Sequence, residues 1–144
     1  MVEDIERMKT YSVFLENPVS VNGMFFDKII TKGKRSFVLR IPVSKTKEFK
    51  EYCGWKFKEA GIPKFDGMKK IIVEVWGVWP DKRRRDLSNF SKAPLDAFKE
   101  CGHVPDDNII LWREQDYWIE KGVYGLKLNI YESEIDSIYE KEPE

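Results

Sequence analysis

Two short stretches of the chain hold side chains suited to phosphate chemistry. One is Asp81-Lys82-Arg83-Arg84-Arg85-Asp86-Leu87-Ser88-Asn89-Phe90-Ser91-Lys92, the other Gly102-His103-Val104-Pro105-Asp106-Asp107. Hard divalent cations such as Mg²⁺ bind through oxygen, commonly one or two carboxylates with water and substrate phosphate completing the shell. Three arginines and a lysine beside such carboxylates repel a free cation but attract phosphate, which makes sense where metal and phosphate arrive together. A metal so placed activates water and stabilises charge on the phosphoryl oxygens during in-line displacement. The plainer alternative makes Arg83, Arg84 and Arg85 a solvated turn, has Asp86 complement a helix dipole, and leaves Asp106-Asp107 as an ordinary turn.

These acids fall where a scaffold can hold them. Ile71–Trp79 is dense in β-branched and aromatic residues, as a strand buried on at least one face should be, and Pro80 stops it. A helix is expected over roughly Ser88–Cys101, with Phe90, Ala93, Ala97, Phe98 and Cys101 on one face and Gly102 as its C-cap. Pro94 removes a helical N–H, so the helix either kinks there or begins its regular part near Ser91. The acids therefore sit just past a strand and just past a helix, the element ends where a rigid sheet usually places functional side chains.

The remaining pattern supplies the frame. Strands are expected at Tyr11–Leu15, Met24–Ile30, Phe37–Ile41, about 108–117 and about 123–131. A further helix is expected from an N-cap at Ser44 through Ala60, carrying Phe49, Tyr52, Cys53 and Phe57 at helical spacing. Uneven alternation of strands and helices implies a mixed α/β (α+β) fold, a small mixed sheet packed on two helices. One domain over residues 9–132 accounts for the pattern, with a loose stretch at 1–8 and an acidic tail at 133–144. Ile135, Ile138 and Tyr139 in that tail have the spacing of a short amphipathic helix.

Composition narrows the class. The chain has 144 residues, 42 % hydrophobic and 14 % aromatic, which is too apolar for a disordered polymer and enough for one core. No apolar run approaches the roughly 18–20 residues of a bilayer span, and the acidic start is unlike a signal peptide. A cytoplasmic protein without membrane partners is expected. Cys53 and Cys101 lack metal-ligand neighbours and make no disulfide scaffold. The net charge of zero hides a division: Lys28 to Lys92 holds 18 Lys and Arg against 7 Asp and Glu, whereas Glu132 to Glu144 holds six acids and one lysine. Clustered cations build a phosphate-attracting face even on a neutral protein. Lys28, Lys32, Lys34 and Arg35 are candidates to track nucleic-acid phosphates there, or are simply solvated. His103 reads as an exposed loop residue, and Trp76 and Trp79 as strand packing.

The run Arg83-Arg84-Arg85-Asp86-Leu87-Ser88-Asn89-x-x-Lys92, then Asp96-Ala97, Gly102 and Asp106-Asp107, resembles the RusA family of Holliday junction resolvases. The resemblance extends from Pro18-x-Ser20-x-Asn22 to the last strand near Tyr131. It implies a small homodimeric α/β nuclease that uses Mg²⁺, or Mn²⁺, to cut symmetrically across a four-way DNA junction. On that basis Asp86 and Asp107 are metal-binding and catalytic acids, Asp106 the acidic neighbour of Asp107, and Lys92 a lysine assisting catalysis. Asn89 closes the family's Asp-x-Asp-Asn element, and Arg83, Arg84, Arg85, Lys34 and Arg35 would hold DNA. Ser88 stands where the family has a second aspartate, and a hydroxyl is a neutral, weaker ligand.

Two routes would bring Asp86 and Asp107 to one metal. A helix over Asn89–Cys101 is about 20 Å long, and four extended residues reach back about 13 Å. If Gly102–Pro105 doubled back, a gap of roughly 7 Å would remain, which side chains can close. Alternatively, a two-fold dimer places Asp86 of one chain near Asp107 of the other. Two other classes stay open beside the nuclease: a junction-binding protein that does not cut, and an interaction module whose basic face meets an acidic partner.

Overall fold

A computed structural model describes residues 9–137. The fold is mixed α+β: a four-stranded mixed sheet, a separate two-stranded ribbon and two helices. β1 (Tyr11–Glu16) leads through a 3-10 turn at Val21–Gly23 to the ribbon of β2 (Phe25–Lys32) and β3 (Arg35–Pro42). Then follow α1 (Ser44–Glu59), β4 (Lys69–Trp79), a 3-10 turn at Leu87–Phe90, α2 (Lys92–Glu100), a 3-10 turn at Asp107–Ile109, β5 (Ile110–Ile119) and β6 (Gly125–Asp136). Among the described residues no helix is long and apolar enough to cross a membrane.

The sheet order is β1-β6-β4-β5. β6 is antiparallel to both β1 and β4, while β4 and β5 run parallel and are joined by the α2 crossover. Both helices cover one sheet face. α1 turns Thr46, Phe49, Cys53 and Phe57 inward, and α2 turns Ala93, Pro94, Ala97 and Phe98 toward the same core as Val73, Val75 and Leu128. Phe57 meets the Phe98 ring edge-on at 5.2 Å between centroids, a geometry that adds stabilisation to the area buried. Lys50 of α1 reaches Asp96 and Glu100 of α2 at 3.6 and 3.2 Å, tying the helices together at the surface.

Several local expectations are corrected. Val43, not Ser44, precedes the first turn of α1, and no side chain caps it, because the Val43 N–H donates to Met24 and draws the backbone into the helix one residue early. At Pro94 the second of the two alternatives holds: α2 is not kinked there, and its regular part begins just after Ser91. Pro94 is the third residue of a helix starting at Lys92, inside the first turn, where its missing N–H has no helical acceptor to lose. The amphipathic helix expected around Ile135–Tyr139 is instead strand as far as Asp136, held by Lys69 pairing with Asp136 and by Ser133 Oγ donating to the Lys70 carbonyl. Residues 138–144 lie outside the described residues.

Cys53 is fully buried and Cys101 exposed, and burial pushes the Cys53 thiol well above its ordinary value. The thiolate is the reactive species. A thiol reagent should therefore label one cysteine per folded chain rapidly and the second only on unfolding; mass mapping of the fast site to Cys53 would contradict this packing.

Candidate functional site

The two carboxylate stretches occupy opposite ends of the β4–α2–β5 crossover. In register, Ile71 stands opposite Ile110 at one end and Trp79 opposite Ile119 at the other, a span of about 26 Å at 3.3 Å per residue. Asp107 opens the 3-10 turn that feeds the first end of β5. Asp86 belongs to the other end, because Phe90, closing the turn that Asp86 opens, packs on Trp79 at 5.4 Å. Doubling back of Gly102–Pro105 does not occur. Gly102, with φ of 80°, and His103 donate their N–H groups to Lys99 and Phe98 to close α2. His103 also accepts the Phe65 N–H at its carbonyl, and its ring is buried against Phe98 and Phe57. The linker is consumed in capping the helix and sealing the core, so it leads straight into β5. His103 is thus a core residue, with Nδ1 3.2 Å from the Pro63 carbonyl, and not an exposed loop histidine.

At the Asp86 end, the 81–86 turn is organised by one arginine. Arg85 Nη1 donates to Asp81 Oδ1 at 2.9 Å and to the Arg83 carbonyl at 3.2 Å. Its guanidinium stacks at 5.5 Å from the Trp79 ring and 5.3 Å from Tyr124, and its side chain is only 11 % exposed. Stacked and paired in this way, Arg85 holds the turn rather than facing solvent. The hydrogen bond from Arg85, then that from the Arg83 N–H, keep the Asp81 carboxyl below its usual range. Burial raises the Tyr124 phenol. Lys82, Arg83 and Arg84 are exposed, and among the described residues they have no ion pair.

The same turn walls a cavity of about 500 Å³ completed by Trp79, Tyr117 and Ile119. Tyr117, Ile119 and Tyr124 carried no motif; the β4–β5 register brings Tyr117 and Ile119 here, and packing on Trp79 and Arg85 brings Tyr124. Asp86 is exposed and opens the Leu87–Phe90 turn without a side-chain capping bond. The capping role open to it in sequence is not used, and among the described residues its carboxylate has no partner. Asn89 donates its backbone N–H to the Asp86 carbonyl. Lys92 begins α2 at this end and pairs with Asp96 at 3.4 Å. Lys34 and Arg35 lie at the tip of the exposed ribbon, where Lys32 pairs with Arg35 across the strands.

At the Asp107 end, Asp106 Oδ1 accepts the Asn108 N–H at 3.3 Å and lies 3.9 Å from Lys99 Nζ. A hydrogen bond shared with the Asp107 carboxyl, followed by the one from the Asn108 N–H, lowers the Asp106 pKa. Among the described residues no three Asp, Glu, His or Cys side chains gather as a metal site. One chain therefore does not bring Asp86 and Asp107 to a common ion.

No protein-family model matches the chain. A 61-residue segment, 42 % of the chain, is 31 % identical to the crossover junction endodeoxyribonuclease RusA of Aquifex aeolicus (strain VF5). The match spans about half the length of that relative, 48 %. This chain is thus distantly similar, over part of its length, to a junction-resolving nuclease.

Proposed function

We propose that this chain is a structure-selective DNA endonuclease of the RusA kind, acting as a homodimer on branched DNA such as a four-way junction. The observation that carries the reading is the exposed Asp86 carboxylate, without a partner among the described residues, directly following the exposed Lys82, Arg83 and Arg84 and the bracing Arg85 in one turn. Phosphate-binding cations around a free acid are what hydrolysis of a phosphodiester needs from a protein. Arg83 and Arg84 hold backbone phosphates on a turn braced by Arg85, and the ribbon cations Lys34 and Arg35 extend the contact. Asp86 of one chain, with Asp107 and Asp106 of a second, would hold Mg²⁺, or Mn²⁺ in its place. That ion would supply an activated water and stabilise charge on the phosphorus oxygens. Lys92, at the Asp86 end, adds positive charge near the scissile phosphate.

The second reading is a junction-binding protein that does not cut. It is favoured by Ser88 at the third position of Asp86-Leu87-Ser88-Asn89, which leaves one carboxylate fewer for a cation. The experiment that decides incubates the wild type with a synthetic four-way junction and with linear duplex, with and without Mg²⁺, over a salt series. Mg²⁺-dependent cutting of the junction in preference to duplex is expected. Salt-sensitive binding without cutting selects the second reading, and absence of DNA binding at low salt overturns both.

A further inference from the structure

We infer that β5 is a self-complementary edge through which two copies of this chain pair antiparallel, extending the sheet to eight strands. Among the described residues β5 is bonded only to β4, and its other side carries no strand. Its residues from Arg113 onward are exposed, and Tyr117, Trp118 and Ile119 are 59, 41 and 47 % accessible. A ten-residue edge strand with apolar side chains at both ends is a template for pairing, which natural folds either blunt or use.

The register of β5 says what it pairs with. Opposite β4, the sequence steps from Glu114 across Val75 to Asp116 across Trp76, so Gln115 is bulged out. Neighbours in register share a sheet face, which puts Ile110, Trp112, Tyr117 and Ile119 on the helix side and Leu111, Arg113, Asp116 and Trp118 on the open side. Consider a two-fold axis perpendicular to the sheet, passing at the Glu114–Gln115 step. It sets Ile110 across from the partner's Ile119, Leu111 across from Trp118, Trp112 across from Tyr117 and Arg113 across from Asp116. Every pair lies on one face, apolar meets apolar, and cation meets anion. In a regular strand this register would throw opposed side chains onto different faces; the bulge corrects the parity. Shifting the register by two puts Arg113 across from Trp118, or Leu111 across from Asp116. The partner is therefore a second copy of this chain, the one surface certain to carry the complement of each pair.

A consequence follows for the carboxylates, and it rests on the proposed nuclease activity. Antiparallel pairing carries the start of one β5 to the end of the other. Asp107 of one chain then lies just beyond the partner's Ile119, at the end where the partner's Asp86 and arginine turn project. Two equivalent composite sites result, about one strand length, or roughly 30 Å, apart.

Arg113→Asp and Asp116→Arg test the interface by sedimentation equilibrium. Each single variant opposes like charges twice per dimer, so its self-association should weaken about tenfold or more relative to wild type. Mixed in equal amounts, the two variants restore both opposite-charge pairs in the heterodimer, and association should return. That rescue also shows that both variants fold. A monomeric wild type overturns the proposal. So do singles that associate like wild type, as contact through the β2–β3 ribbon would give, or a mixture without rescue. Junction cutting by a wild type whose association ignores both charges would remove the interface and leave the nuclease standing. An intact β5 dimer that never cuts would do the reverse.

Discussion

Asp86→Asn and Asp107→Asn should each abolish junction cutting, by about a hundredfold or more, and a mixture of the two should recover it. The separation of the two acids along β4 and β5 dictates this outcome. If each site takes Asp86 from one chain and Asp107 from the other, a mixed dimer has one doubly altered site and one intact site. In an equal mixture half the dimers are mixed, so about a quarter of the wild-type sites should be active. Mixing Asp86→Asn with a chain carrying both substitutions supplies the control, because no intact site forms in any pairing. Cleavage is read on a labelled junction with Mg²⁺ after the chains have exchanged. Inactive parents whose mixture stays inactive, despite demonstrated exchange, would reject a site shared between chains. An active Asp107→Asn homodimer would remove that acid from the chemistry altogether.

The largest stability effect should come from Trp79→Ala. Trp79 is 2 % exposed at the end of β4, where Phe90, the edge-on Tyr124 ring and the Arg85 guanidinium pack around it. Gly77 is part of the same packing, since a Cβ there would run into the Trp79 ring. Deleting a buried indole of this kind costs about 3–5 kcal/mol, which for a domain of this size should lower Tm by about 10 °C or more. Arg85 loses a stacking face at the same time, and the 81–86 turn loses the brace that aims Arg83 and Arg84. Folded Trp79→Ala protein should therefore bind junction DNA more weakly than wild type at temperatures where both are native. Calorimetry and a DNA titration check the two halves of the prediction. A Tm within a degree or two of wild type would contradict the packing role of the indole.

Much of the scaffold was legible before the fold was known, for reasons local to the chain. The density of β-branched and aromatic residues over Ile71–Trp79 marks a central strand because few other conformations bury so much branched side chain. The spacing of Phe49, Cys53 and Phe57 predicts the inward face of α1. The 3-10 turn and late start of α2 follow from Pro94, which is comfortable only in a first turn. The acidic tail misled, because its apolar spacing suits a helix while the start of β4 offers hydrogen bonds that extend β6 as a strand. Propensity yields to a tertiary partner of that kind.

What the amino acids could specify alone was chemical inventory: which side chains bear charge, which can ligate a hard cation, and which lengths of chain are helix or strand. Distances between remote segments are a different matter. Whether Gly102–Pro105 turned back or ran on depended on where His103 and Val104 were buried, and burial is a property of the assembled core. The same is true of Arg85, one of three adjacent arginines, which is singled out only because Trp79 at the end of β4 and Tyr124 just before β6 flank it. Charge and hydrogen-bonding capacity belong to residues, but separation and shielding arise from packing. The fold therefore decided that the two acids stand a strand's length apart in one chain.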